Sequence, residues 1–457
     1  MPEVPSTSRK LLSLAIPIIG INTLQVLMLV VDSALCGRLP HPEPVLAALG
    51  YAVQLVWLLL VAMLGLLVGT VALVARAHGA KDHARVNHVV EQSTMLTAMF
   101  GVAVGVVGAV FAVPLMRAMG ASHEVAALGG EYLRPLMLGT PFAYLTLLYT
   151  GILRGVGNTH VPFLCAIVAN IINVFLNYGL VLGHFGMPAI GVAGSAVATV
   201  CAQFVNLVIL LVVLRRGAVP GFSPKLRRVT IDRSLASELV RVGWPAAVDF
   251  LVLNAGFLTV VWLLGYIDEV TVAAHGLGMR VQSLAFVPGL SISQATGALV
   301  GMALGAGDVP RAREVLRSAI KLCLIVMIAL GLVIFIAAPA LLAVFDVPEG
   351  TSLANYSVMW MHLLGYCMVP AAVHVAIVGL LQGSGATRTS LRINIYTTLA
   401  LQVPLAALLG LALDLGAFGV WLSIPLAMVA KAGWAYLAYR SDSWAVTGVR
   451  VAPARQA

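Results

Sequence analysis

The sequence predicts an all-α integral membrane protein with twelve transmembrane helices in two homologous six-helix lobes, the lobes being parallel repeats. Three observations lead there: the composition, the spacing of the apolar runs, and an internal repeat. Hydrophobic residues make up 60% of the 457 and charged residues 10%, whereas soluble domains carry about 25% charged residues. A net charge of +9 would suggest a nucleic-acid partner in a soluble chain, but no nucleic-acid motif or basic-aromatic patch accompanies it. In a membrane chain the placement of the charge matters more than its sum.

Apolar runs of bilayer-spanning length, about 20 residues or more, fall at 11–36, 45–75, 88–116, 126–152, 162–183 and 190–214. After the polar stretch Arg215 to Glu238 they resume at 239–265, 272–303, 315–345, 352–382, 391–413 and 417–439. The opening MPEVPSTSRK is not followed by a brief apolar core with a small-residue cleavage site, so the first run reads as a retained span. Basic residues such as Arg9 and Lys10, Arg76 and Lys81, Arg154, Arg215 and Arg216, Arg311 and Arg313, Arg388 and Arg440 occupy alternate connections. The opposite connections carry mainly acids, among them Glu43, Glu124, Asp268 and Asp346. By the positive-inside rule both termini and the central loop are expected on the cytoplasmic side. The expected organisation is an N-terminal lobe 1–214, a cytoplasmic linker 215–238, a C-terminal lobe 239–440 and a cytoplasmic tail 441–457. Cys36, Cys165, Cys201, Cys323 and Cys367 fall singly in or beside apolar runs and read as small membrane hydrophobes.

The repeat is carried by paired segments. IPIIGINTLQ with Pro17 echoes WPAAVDFLVL with Pro245, LAALG ending at Gly50 echoes VAAHG ending at Gly276, and HGAKD with Asp82 echoes LGAGD with Asp308. ILRGVGNT with Arg154 echoes LLQGSGAT with Gln382, and Gly191 matches Gly419. The offset stays within about 226–228 residues, as a duplicated unit requires. An even number of spans separates equivalent positions, so the halves run parallel, an architecture of alternating-access transporters with the site between repeats.

One carboxylate, Asp32, stands inside the first apolar run. An ionisable side chain at that depth costs several kcal/mol unless paired or neutralised, so its default reading is an ion or substrate site. Low dielectric favours the neutral form of a carboxyl, which suits a group that loads and releases a proton. The alternative is a solvated helix-end residue capping the turn before Gly37. Asn173 and Asn177 lie four apart on one helical face, so both can point at one partner; the alternative for them is interhelical hydrogen bonding alone. Asn22, Gln25, Tyr144 and Trp57 are weaker candidates for lining a cavity, and His275 reads as interfacial. Mid-helix Pro17, Pro141, Pro245 and Pro370 are candidate kinks. No GxxxxGK[ST], HExxH or GxSxG pattern occurs, which argues against direct ATP drive and hydrolytic chemistry.

Together these segments resemble the multidrug and toxic compound extrusion family of bacterial efflux transporters over roughly Lys10 to Arg440. The resemblance rests on the proline-containing first helix followed by Asp32 and Gly37, on LAALG at 46–50, GAKD at 79–82, LRGVG at 153–157 and NVFLN at 173–177. It implies two six-helix lobes around a V-shaped cavity and export of cationic amphiphiles driven by proton or sodium entry. It also implies that Asp32 is the main coupling residue and that Asn173 and Asn177 accompany it. Sodium-coupled members carry a seventh-helix glutamate and a tenth-helix aspartate; this chain has Leu253, and Ala371 and Ala372, at those places.

Asp249 lies one turn before Leu253, and helical rise places His374 and Lys431 at a similar depth. The expectation is a second-lobe cluster in which Lys431 neutralises Asp249 and His374 completes the hydrogen bonding; the alternative is a buried pair with a purely structural role. The expected function is secondary active export of small lipophilic cations against protons, or alternatively sodium, by a monomer in the bacterial inner membrane, with no cofactor and no enzymatic activity. The rival readings are a flippase for a lipid-linked or polysaccharide precursor and a polytopic lipid-modifying enzyme.

Overall fold

The computed structural model describes residues 6–217 and 230–447. Its first half contains α1 (Thr7–Cys36), α2 (Pro42–Gly79), α3 (His83–Val110), the short α4 (Ala112–Ala118), α5 (His123–Leu138), α6 (Thr140–Gly155), α7 (His160–Leu182) and α8 (Val192–Arg215). The second half contains α9 (Arg233–Gly265), α10 (Glu269–Gly305), α11 (Val309–Ala343), α12 (Ser352–Gly383), α13 (Thr387–Ala412), α14 (Gly416–Arg440) and the short α15 (Ser443–Thr447). Eleven of these helices are long and apolar enough to cross a membrane, and the α5–α6 pair makes a twelfth, broken span.

That broken span replaces the continuous run expected over 126–152. α5 and α6 meet at Gly139 with a bend of 52°. Pro135 lies inside α5 and Pro141 at the start of α6. Pro141 has no N–H to extend the ladder across the joint, and its ring crowds the preceding turn. The other candidate kinks, Pro17, Pro245 and Pro370, lie inside unbroken helices. The expected linker 215–238 falls partly outside the described residues, and its last part is helical because α9 starts at Arg233. The tail likewise extends beyond the described residues, after the short α15.

The helices form two compact units. Gly20–Gly243 makes one; the described residues up to Ile19 cluster instead with Trp244 onward. The first turns of α1 therefore depart from the lobe 1–214 to which the sequence assigned them. Leu11, Leu14, Ala15 and Ile18 are buried in the core formed by α10, α11 and α12, while Thr7 and Ser8 hydrogen-bond Glu314 and Ser318 on α11. Burial of those four side chains contributes roughly 1.5–3 kcal/mol for each large aliphatic.

In the Gly20–Gly243 unit the segment leading into α9 is clasped by α3. Gln92 donates to the Thr230 carbonyl at 2.8 Å and accepts from the Asp232 N–H at 3.0 Å. Arg85 pairs with Glu238 at 2.5 Å, and His88 Nε2 meets Asp232 at 2.8 Å. The His88 contact, helped by the Leu235 N–H, holds the Asp232 carboxyl below the usual carboxylate range. A depressed carboxyl stabilises the fold above the unfolded value of about 3.9 and loses that contribution as pH falls through its own, lower value. Asp232→Asn should therefore lower the thermal midpoint at pH 7, with the gap to wild type closing as pH falls below the usual carboxylate range. A gap that stays constant across that range in detergent-solubilised protein would show that the carboxylate contributes nothing.

Candidate functional site

The first candidate site is built where α1, α7 and α8 approach. α7 ends at Gly183, whose φ of 77° suits glycine, and α8 starts after Gly191 at φ 58°. The tight return sets the two helices side by side, and a Cβ at Gly194 would stand 2.6 Å from the Leu180 carbonyl oxygen. This brings Thr199 on α8 opposite Asn173 on α7.

Asp32 is 7% exposed, so it is not the solvated helix-end residue of the alternative reading. The turn that follows is closed by its own backbone, Gly37 N–H donating to the Ser33 carbonyl at 2.9 Å. The Asp32 carboxylate instead receives a hydrogen bond from Asn177 Nδ2. Among the described residues no cation pairs with it. Tyr132 and Cys36, both buried, stand within reach of its charge.

Asn173 behaves differently from the expectation that both amides face Asp32. Its Nδ2 donates to Thr199 Oγ1 at 3.1 Å. The carbonyl oxygens Oδ1 of Asn173 and Asn177 are buried without a donor. An amide oxygen has two lone pairs to satisfy, so such orphaned acceptors suit a bound cation or the proton of a neutral acid. Thr199 and Tyr132 were not anticipated, because single threonines and tyrosines in apolar runs carry no signal of their own.

Of the weaker candidates, Tyr144 is buried, donates its hydroxyl to the Leu59 carbonyl at 2.9 Å and stacks on Phe100 with centroids 6.0 Å apart. Its polar group is thereby committed to packing within the unit. Trp57 and Gln25 are exposed, and Asn22 is half-buried. His275 is buried and lies among Phe257, Trp360 and Trp421.

The second-lobe candidates make other contacts than expected. Asp249 on α9 is 5% exposed and accepts from Ser390 Oγ at 2.8 Å and Asn394 Nδ2 at 2.6 Å, both on α13. Lys431 on α14 is buried, yet its ammonium donates to Thr398 Oγ1 at 2.9 Å and makes no ion pair with Asp249. His374 Nε2 on α12 is buried without a partner, so it does not complete the hydrogen bonding. Equal depth was inferred from helical rise, and rise does not set the direction in which a side chain leaves its helix.

Twelve spans in two repeated halves, with a buried acid held by an amide from the fifth span of the same half, define a multi-pass membrane transporter. A family model described as MatE matches residues 17–179 and again 245–408, so the chain belongs to the MatE family, that of the extrusion transporters whose motifs it resembles. The chain is 29% identical to "Probable multidrug resistance protein YoeA" of Bacillus subtilis, covering 93% of this chain and 91% of that one. It is 27% identical to "Probable multidrug resistance protein NorM" of Thermotoga maritima, covering 97% and 94%. Among solved structures it resembles one described as the "Outward-facing conformation of a multidrug resistance MATE family transporter of the MOP superfamily", at TM-score 0.87 and 25% identity over 96% of each chain. These relatives are transporters, and the lipid-modifying-enzyme reading is set aside.

Proposed function

We propose that the protein exports small lipophilic cations in exchange for protons, by alternating access, with Asp32 as the site both cations contest. The observation that carries this is the buried Asp32 carboxylate, met by a neutral amide and, among the described residues, by no cation. A carboxylate so placed needs a positive partner from outside the fold, and a proton and an organic cation each satisfy it. Binding one displaces the other, so downhill proton entry expels substrate. The relatives, described as probable multidrug resistance proteins of bacteria, support the substrate class and an inner-membrane location. The alternation of basic connections supports cytoplasmic termini, and the chain acts as a monomer in this reading.

Sodium is the second reading for the coupling ion, favoured by the two amide oxygens that lack donors. Efflux of a fluorescent lipophilic cation from proteoliposomes, with pH and sodium gradients imposed separately, decides. A pH gradient alone should drive efflux and be dissipated by it, and a sodium gradient alone should do neither. Drive by sodium alone would replace the proton, and efflux without any gradient or counter-ion would remove the antiport reading.

A further inference from the structure

The second unit repeats the acid–amide contact of the first, out of register. In both units the acid and the amide stand 145 residues apart along the chain. The sequence repeat sets Pro17 against Pro245, so Asp32 and Asn177 correspond to Val260 and Leu405, both apolar. Asp249 and Asn394 precede those positions by about eleven residues each, which is about three turns and about 16 Å of helix. Eleven residues return a helix to nearly the same face. α9 therefore presents Asp249 from the face that corresponds to the one carrying Asp32, three turns nearer its N-terminus. Immediately after Asn394 the backbone of α13 becomes π-helical over Ile395–Gln402, a departure that recurs at functional sites.

The cluster holds three titratable groups, Asp249, Lys431 and His374, with Ser390, Asn394 and Thr398 as its neutral members. Asp249 and Lys431 stand within reach of one another's charge, and Lys431 likewise of His374. Even so, the acid rests on Ser390 and Asn394 and the ammonium on Thr398. Inside a protein, an ionised carboxylate attracts a nearby ammonium more strongly than a neutral hydroxyl holds it. An ionised carboxylate would therefore draw the ammonium off Thr398. The separated arrangement fits a neutral, protonated Asp249, and the orphaned Asn394 Oδ1 supplies an acceptor beside it.

We propose that Asp249 is a second proton-exchange site, with Lys431 as a tethered cation that takes the proton's place. With the proton on Asp249, the Lys431 ammonium rests on Thr398. When the carboxyl O–H ionises and its proton leaves to water, the ammonium moves from Thr398 onto the carboxylate. Lys431 keeps its own proton throughout, so one proton is exchanged and no buried carboxylate is left without a cation. The use made of this proton rests on the exporter reading, whereas the site itself is testable without transport.

The test is infrared titration of the purified protein in lipid nanodiscs, without substrate or gradient, in the Asp32→Asn background so that the first-lobe acid is silent. A protonated-carboxyl band should titrate and be lost in Asp249→Asn. In Lys431→Met, with the competing cation gone, the band should persist about one to three pH units higher. In Thr398→Val, where the ammonium loses its resting place, it should vanish at lower pH than in the Asp32→Asn background alone. The opposite shifts identify the band even if Asp249→Asn does not fold. A band indifferent to both substitutions, shifts of the same sign, or no titrating band overturns the proposal. None of those outcomes bears on efflux, which the gradient experiment decides separately.

Discussion

Asp32→Asn should reduce proton-driven efflux of a lipophilic cation to the level of empty vesicles while leaving the protein folded. The amide replaces the carboxylate with nearly the same shape, and its oxygen can still accept from Asn177 Nδ2. What is lost is the ionisable group, and with it any competition between proton and substrate. In the wild type, substrate binding should weaken as pH falls, approaching about tenfold per pH unit once the site is mostly protonated, because one proton is exchanged for one cation. In the variant, whatever binding remains should be flat with pH. Isothermal titration of a fluorescent cation at several pH values reads both slopes. A variant that retains the wild-type slope would move the coupling site elsewhere, and Asp249 would be the next group to examine.

The contrast between the two acids shows what the sequence could reveal. The apolar runs declare their own length, so the twelve spans and their repeat were legible, and the 52° break was foreshadowed by Pro141. Asp32 was legible because a carboxylate in such a run has no ordinary packing role. Asn177 followed from helical spacing and family resemblance, but the same reasoning sent Asn173 to Asp32, whereas it bonds Thr199. Spacing of four residues shares a face only approximately, and α8 supplied a closer partner. Ser390 and Asn394 were missed for a different reason. In the register of the repeat Asp32 meets Val260, and an acid–amide pair displaced along both helices does not show in that register. The spacing itself is in the chain, with Asn394 standing 145 residues after Asp249 as Asn177 stands after Asp32.

Gly383→Ala should be the most damaging of the single-methyl changes in the second unit. A Cβ at Gly383 would lie 2.1 Å from the Gly297 carbonyl oxygen and 2.6 Å from its Cα, and one at Gly379 would lie 2.4 Å from the Ser293 oxygen. The atoms in the way are backbone, which cannot rotate aside, so α10 and α12 would have to separate along their crossing. Overpacking of this kind costs about 1–3 kcal/mol, and here the core that includes Ala295, Ala376 and Leu380 loosens with it. Gly276→Ala, on the same α10 but with nothing within 4 Å of the new methyl, should instead stabilise by up to about 1 kcal/mol through helix propensity. Thermal unfolding in detergent should therefore show opposite shifts for the two variants, and equal shifts would refute the close crossing. The first half is less demanding at the corresponding place: a Cβ at Gly155 meets the Val71 oxygen at 3.4 Å, ordinary contact. Alanine there should be tolerated, because the repeated RGVGN and QGSGA segments serve different packing distances in the two halves.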